Sequence, residues 1–187
     1  MSSRAVLLFV CASLSIAARV SAQTPAPLPI ELYAGYSYLR DPGNSVVAAT
    51  AGDNSFHVGW AAGVARRLWR HLDVVAEASG HYKTRTTFDE DVRLSFHGFL
   101  GGPRAALDLG RFREFGQVLA GVVHASGSAF GVTASTTALA LQPGGGVDYR
   151  IGARVAARVQ LDYRWINGDD FRRSANQFRA VAAFVVR

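Results

Sequence analysis

Cysteine, methionine and long apolar runs are scarce in this sequence of 187 residues. The single cysteine, Cys11, and the single methionine both lie among the first 22 residues. A chain without a second cysteine has no internal disulfide and no cysteine-based metal site. Beyond residue 22 no apolar run reaches the roughly 20 residues that a membrane-spanning helix needs. Yet 49% of the residues are hydrophobic and only 18% are charged, so this apolarity requires another kind of structure.

The first 22 residues are typical of a secretory signal. Arg4 supplies a positive start, residues 5–17 form a short apolar run, and Val20-Ser21-Ala22 offers small residues for cleavage. We expect export and cleavage after Ala22. Residues 23–29 contain three prolines and are predicted to be a spacer. Residues 30–187 then form one domain, and their scattered positive charges do not make the basic patch of a nucleic-acid-binding protein.

Strict alternation of polarity is clearest over residues 154–165. One face carries Arg154, Ala156, Arg158, Gln160, Asp162 and Arg164, and the other carries Val155, Ala157, Val159, Leu161, Tyr163 and Trp165. A period of two predicts a β-strand. In a membrane barrel the charged face points into the lumen and the apolar face points to lipid.

Similar alternation over residues 72–82, 92–97 and 138–149 extends this interpretation, although Pro143 and glycines 144–146 predict a bend or bulge in the last segment. The interior of a small barrel is filled by side chains, and buried charges need partners. We therefore predict a structural network of paired luminal charges: Asp73, Glu77, Arg93, Asp148, Arg158, Asp162 and Arg164. We also predict aromatic residues at the membrane interface: Tyr36, Tyr38, Trp60, Tyr163 and Trp165.

The gaps between these segments alternate in length. They are long at 41–55, 83–91, 126–135 and 167–176, and short near 67–70, 108–113 and 150–153. Seven connections join eight strands. The sequence therefore predicts an all-β fold, an eight-stranded antiparallel up-and-down transmembrane β-barrel with short turns on the periplasmic side and longer loops outside.

The last predicted strand, 177–187, turns alternate apolar residues outward. Arg179, Phe184 and Val186 are similar to the carboxy-terminal signal that the barrel assembly machinery of the outer membrane reads. Arg187 departs from that pattern, because an aromatic residue is usual in its place.

Several segments resemble the outer-membrane β-barrel domain family, which is similar to the OmpA transmembrane domain and the opacity porins. They are Tyr33 to Arg40, Gly101-Gly102-Pro103-Arg104, Phe115-Gly116 with Gly121 to Ser126, and Gly144 to Tyr149 with Leu161-Asp162-Tyr163. The resemblance covers nearly all of the chain after the spacer. It implies a monomer in the outer membrane of a Gram-negative bacterium, with outer-membrane lipids and the assembly machinery as partners. The family has no common catalytic residues.

The predicted function is a structural or adhesin-like surface interaction through the external loops, with an unidentified extracellular ligand and no catalysis, cofactor or metal. Three alternatives stay open. A soluble lipocalin-like binding barrel would place apolar residues inside and charges outside. A narrow porin would need a path through the lumen. An outer-membrane lipid A hydrolase is suggested by His124-Ala125-Ser126, although no Glu follows Glu114 to orient the histidine.

Overall fold

The computed structural model describes residues 30–40, 55–87, 90–129, 132–167 and 174–187, so the predicted signal and spacer lie outside the described residues. Eight strands form the fold: β1 Ile30–Arg40, β2 Val58–Trp69, β3 Leu72–Thr87, β4 Glu90–Leu109, β5 Phe112–Ala129, β6 Val132–Arg150, β7 Val155–Asn167 and β8 Ser174–Val186. A two-residue segment, Ser55–Phe56, pairs with the end of β1. In these parts of the chain, no helix has the length and apolarity to cross a membrane.

The strands close into a barrel in simple chain order. Each strand pairs antiparallel with the next, and β8 pairs with β1 over a register that runs from Leu32↔Val186 to Arg40↔Phe178. Closure satisfies the backbone donors and acceptors of both terminal strands, which is what a sheet in hydrocarbon requires. The predicted eight-stranded antiparallel up-and-down barrel is confirmed.

The polarity of the barrel is inverted relative to a water-soluble protein. On β7, Arg158, Asp162 and Arg164 are buried, whereas the alternate residues Val159 and Leu161 are 63% and 66% exposed. Large apolar residues are exposed in the same way all around the outside. Charged residues are almost never fully buried in soluble folds unless they are paired. This facing fits lipid outside the barrel and contradicts the lipocalin-like alternative.

Short turns lie at one end of the barrel, at residues 70–71, 110–111 and 151–154. We call this the turn end and the opposite end the loop end. In the two-residue turn at 110–111, Gly110 has a φ of 67°, a conformation typical of two-residue hairpins that glycine adopts without strain.

Two of the predicted long loops are wrong. β3 continues to Thr87 and β4 begins at Glu90, and the two strands stay paired over this extension. In the same way, β5 continues to Ala129 and pairs with β6, which begins at Val132. The gaps were predicted from polar residues, but Thr84, Thr133 and Thr136 are β-branched and suit an extended backbone as well as a loop. The result is a four-stranded sheet, β3 to β6, that projects beyond the barrel wall at the loop end.

The predicted bulge at Pro143 is also wrong, because β6 keeps one register with β7 on both sides of it. The glycines that follow make space instead. A Cβ on Gly146 would lie 2.8 Å from the ring of Phe115, and a Cβ on Gly144 would overlap the carboxylate of Asp162. The glycine run therefore leaves room for the inward side chains of Phe115 and Asp162.

Candidate functional site: the barrel interior and the loop-end sheet

The turn-end half of the interior contains an ion cluster centred on Glu31 of β1. Its carboxylate accepts hydrogen bonds from Arg104 Nη1 at 2.8 Å, Arg158 Nη2 at 2.5 Å and Arg187 Nε at 2.7 Å. Arg158 also donates to Asp148 at 2.7 Å, and Arg187 contacts the same carboxylate. The guanidinium of Arg158 thus bridges the carboxylates of Glu31 and Asp148. The charges of this cluster come from four strands and from the residue after β8, and they compensate one another.

Aromatic rings extend this cluster. The guanidinium of Arg158 lies 4.5 Å from the ring centres of both Tyr33 and Phe115, and that of Arg104 lies 4.6 Å from Phe115. Such stacking suits the planar, weakly hydrated guanidinium. On the other side of the cluster, Arg113 donates to Asp73 at 2.5 Å. The cluster thus spans the barrel cross-section.

A second ion cluster lies at mid-height, around Arg179 of β8. This buried guanidinium donates to Glu77 at 2.5 Å and to Asp162 at 2.7 Å. Glu77 also accepts from the hydroxyl of Tyr33 at 2.6 Å and from the amide of Gln142 at 3.2 Å. Glu77 therefore has three donors, as a buried carboxylate requires.

Arg164 has a different environment within this second cluster. Its Nε donates to Gln142 at 2.8 Å and one Nη to Ser79 at 3.3 Å, and no described carboxylate lies within ion-pairing distance of it. One terminal nitrogen on each of Arg104, Arg158, Arg164 and Arg179 has no hydrogen-bond partner among the described residues. Buried donors of this kind are normally satisfied by ordered water.

The loop-end third of the interior contains an apolar layer beside a buried polar pair. Phe56 and Phe96 pack edge to face with ring centres 5.2 Å apart, beside Leu39, Val123 and Ile166. At the level of Phe96, Ser37 Oγ and His81 Nε2 are buried and lie 2.9 Å apart. The alternation over residues 92–97 does not predict the apolar layer, because it places Phe96 on the lipid face. Together the two ion clusters and this apolar layer fill the lumen from end to end with side chains that are nearly all buried. A narrow porin has no support in this interior.

Six of the seven predicted luminal charges lie inside the barrel, and Arg93 does not. On β4 the buried residues are Phe96 and Leu100, so Arg93 falls on the opposite, outward face and is exposed. The prediction for this segment had the wrong phase. The sequence pattern also does not predict the luminal roles of Glu31, Arg104 and Arg113. A usable signal is present on β1, where Glu31 and Tyr33 share one face and Leu32 lies on the other.

All five predicted interface aromatics lie on the outer face: Tyr36, Tyr38, Trp60, Tyr163 and Trp165. They form a belt near the loop end. A second belt, which the sequence analysis missed, lies near the turn end and contains Trp69, Phe112 and Tyr149. Trp60 and Trp69 are nine residues apart on β2. At about 3.3 Å per residue and a tilt of about 40°, the belts are roughly 23 Å apart, close to the height of the apolar band of outer-membrane barrels.

The residues of the predicted assembly signal divide between the two faces of β8. Phe184 and Val186 are 66% and 50% exposed on the outside, whereas Arg179 is buried in the second ion cluster. Arg187, the departure from the usual pattern, reaches inward to Glu31 and Asp148. An arginine at this position therefore completes the first ion cluster.

The His124-Ala125-Ser126 motif lies on the outer face of the projecting sheet. His124 Nδ1 is 2.8 Å from the hydroxyl of Thr137, and Ser126 Oγ is 2.7 Å from that of Ser95. No carboxylate of the described residues hydrogen-bonds to His124, so none of them serves as the acid that would orient a catalytic histidine. Within the described residues, no group of three or more His, Cys, Asp and Glu side chains is arranged to hold a metal ion.

Comparison with known proteins identifies the fold. No protein-family model matches the sequence, and no curated protein matches it. The barrel is similar to Neisserial surface protein A, with a TM-score of 0.67, 12% identity, and coverage of 85% of this chain and 97% of that one. It is also similar to Ail, the attachment invasion locus protein of Yersinia pestis, with a TM-score of 0.55, 14% identity, and coverage of 83% and 97%.

A third similar structure is the N-terminal β-barrel domain of Pseudomonas aeruginosa OprF, with a TM-score of 0.50, 11% identity, and coverage of 83% and 96%. At these identities the likeness establishes the fold alone. The neighbours are eight-stranded outer-membrane barrels, in agreement with the resemblance to the outer-membrane β-barrel domain family.

Proposed function

We propose that this chain is an integral outer-membrane protein of a Gram-negative bacterium that acts in surface interaction through its loop-end sheet, without passing solutes and without catalysis. The observation that carries the proposal is the pairing of a side-chain-filled lumen with a sheet that extends past the barrel wall. A filled lumen leaves the surface as the place for function, and recognition residues concentrate on segments that a rigid scaffold presents. Export, cleavage after Ala22 and recognition of β8 by the assembly machinery belong to the same proposal.

The loop-end sheet has the chemistry of a contact surface. Its outer face carries hydroxyls and imidazoles, and hydrogen bonds cross its strands between Ser95 and Ser126 and between His124 and Thr137. Residues 84–87 of β3 and 132–138 of β6 pair on one side only among the described residues. An edge without a partner offers backbone donors and acceptors to another chain.

One structural neighbour supports the choice of ligand for a first test. Ail, which is named for attachment and invasion, has also been solved with the heparin analogue sucrose octasulfate, and that structure has a TM-score of 0.54 to this chain. We therefore choose a heparin-coated surface as the probe for adhesion.

The test shortens the projecting sheet without disturbing the barrel. Tyr82 pairs with Ser95 and His124 pairs with Thr137, so residues 83–94 and residues 125–136 are each replaced by Asn-Gly, which favours a two-residue hairpin. We expect the shortened protein to reach the outer membrane and to keep heat-modifiable migration on a detergent gel, while cells that carry it lose adhesion to the coated surface.

Matched cells with the full-length protein at the same surface level are the control. Recovery of the full-length protein from the soluble periplasm would overturn the membrane assignment. Equal adhesion by both proteins would overturn the role of the loop-end sheet.

A further inference from the structure

The turn end of the barrel has a set of arginines that the ion clusters do not use. Four of them are exposed and one, Arg150, is partly exposed; the set is Arg66, Arg70, Arg111, Arg150 and Arg154. They occur at all three short turns and on the adjoining outer face of β2, so they are distributed around the rim. No ion pair joins any of them to a carboxylate among the described residues. The described residues therefore do not compensate their positive charge.

These arginines accompany the turn-end aromatic belt. Arg70 directly follows Trp69, Arg111 directly precedes Phe112, and the rings of Phe112 and Tyr149 pack with their centres 5.2 Å apart. Trp69 is 73% exposed. Tryptophan and tyrosine belts mark the depth of the lipid headgroups, so the neighbouring guanidinium groups lie at the level of the phosphates.

The exposed acids of the turn end do not balance these arginines. Beside the five arginines, the exposed acids of the turn end are Asp108 and Glu114, and Asp108 already lies 3.8 Å from both Arg67 and Arg113. The turn end therefore carries a net positive surface among the described residues.

We propose that the turn end binds anionic phospholipids, such as phosphatidylglycerol, in the bilayer leaflet that it contacts. The inference rests on the proposed membrane insertion. Guanidinium groups recognise phosphate by paired, charge-assisted hydrogen bonds, and the adjacent aromatic rings lie against the glycerol and upper acyl regions of the same lipid. One Arg near an anionic lipid surface strengthens binding by roughly fivefold. This preference fixes the depth and orientation of the barrel in an asymmetric membrane.

Tryptophan quenching by brominated lipids tests the proposal at one end of the barrel at a time. The chain has three tryptophans. Trp60→Phe with Trp165→Phe leaves Trp69 as the reporter of the turn end, and Trp69→Phe with Trp165→Phe leaves Trp60 as the reporter of the loop end. Each protein is folded into phosphatidylcholine vesicles that contain an equal proportion of brominated phosphatidylcholine or brominated phosphatidylglycerol. The label is present in both leaflets, so protein orientation does not affect the result.

Quenching by brominated phosphatidylcholine, together with heat-modifiable migration, reports insertion of the barrel into the bilayer. A protein that shows neither would count against the proposed function alone. For the lipid preference, we expect phosphatidylglycerol to bind near Trp69 about fivefold more tightly than phosphatidylcholine. Near Trp60 we expect the two lipids to bind with about equal affinity. The variant with Arg66→Gln, Arg70→Gln and Arg111→Gln should lose the preference at Trp69. The matched variant Arg40→Gln, at the loop end, should keep it.

Salt gives a second measurement that needs no arginine variant. Screening in 1 M salt, where the Debye length is about 3 Å, should reduce the preference at Trp69 severalfold. Equal preferences at Trp69 and Trp60 would overturn the proposal and would favour another polyanion as the partner of these arginines. A preference at Trp69 that survives salt, or that survives the triple glutamine substitution in a folded barrel, would also overturn it.

Discussion

Replacing Arg179 by methionine tests whether the interior charges stabilise the barrel by compensating one another. Arg179 is buried between Glu77 at 2.5 Å and Asp162 at 2.7 Å. Methionine keeps much of the side-chain length and removes the charge, so two carboxylates face each other in the interior without their shared cation. Removing one partner of a buried ion pair costs about 3–5 kcal/mol. We expect the free energy of unfolding to fall by that amount, about 3–5 kcal/mol.

Two matched variants separate charge compensation from packing. Adding Asp162→Asn to Arg179→Met removes one of the opposed carboxylates, and the double variant should recover at least about 1 kcal/mol relative to the sum of the single changes. Asp108→Asn breaks contacts of 3.8 Å with Arg67 and Arg113 on the rim. Because Asp108 is partly exposed, that change should cost no more than about 1 kcal/mol.

The measurement is urea unfolding of the barrel folded into phosphatidylcholine vesicles, followed by tryptophan fluorescence. The slope of the free energy against urea must stay constant across the variants for the comparison to hold. A loss below about 1 kcal/mol for Arg179→Met would place it in the range of exposed pairs and refute the reasoning. A double variant no more stable than the sum of the two single changes would refute it as well.

Two further substitutions test the seam of the barrel and the hydrolase alternative. A Cβ on Gly35 would overlap the backbone of Ala182 and Ala183 where β1 meets β8, whereas a Cβ on Gly116 would have nothing within 4 Å. Gly35→Val should therefore lower the free energy of unfolding by about 1–3 kcal/mol and reduce the heat-modifiable fraction. The control Gly116→Val should do neither. Equal folding of the two would contradict the seam geometry. Ser126→Ala should leave the lipid A profile of overexpressing cells unchanged, since His124 and Ser126 bond to other hydroxyls, and a lipid A product lost only in the variant would show the hydrolase interpretation to be right.

Periodicity made the fold predictable from the sequence. The polar alternation over residues 154–165 predicts the correct facing of β7, because every charged residue lies on one face and the other face is apolar throughout. The number of strands followed from the number of gaps, and β1 begins and ends where the sequence pattern placed it. Strand pairing in chain order then left few topologies to choose from.

Prediction failed where the alternation was weak. In residues 92–97 the alternation predicts a luminal polar face of Arg93, Ser95 and His97, whereas the structure turns Phe96 into the lumen. At the loop end, polar side chains on the outer face of the barrel meet headgroups or water instead of hydrocarbon. The lipid rule for facing therefore no longer applies there, and the phase of a strand cannot be read from its polarity.

The sequence by itself determined the strand pattern, the inverted facing at mid-membrane and the count of strands, because each of these depends on the order of residues along one strand. Only the tertiary structure decided which charges share a site. Glu31, Arg104, Arg158 and Arg187 meet because closure of the sheet brings distant strands across a narrow lumen. Closure likewise leaves the turn-end arginines outside these pairings, and no one-dimensional pattern shows which arginines are inside and which remain on the rim.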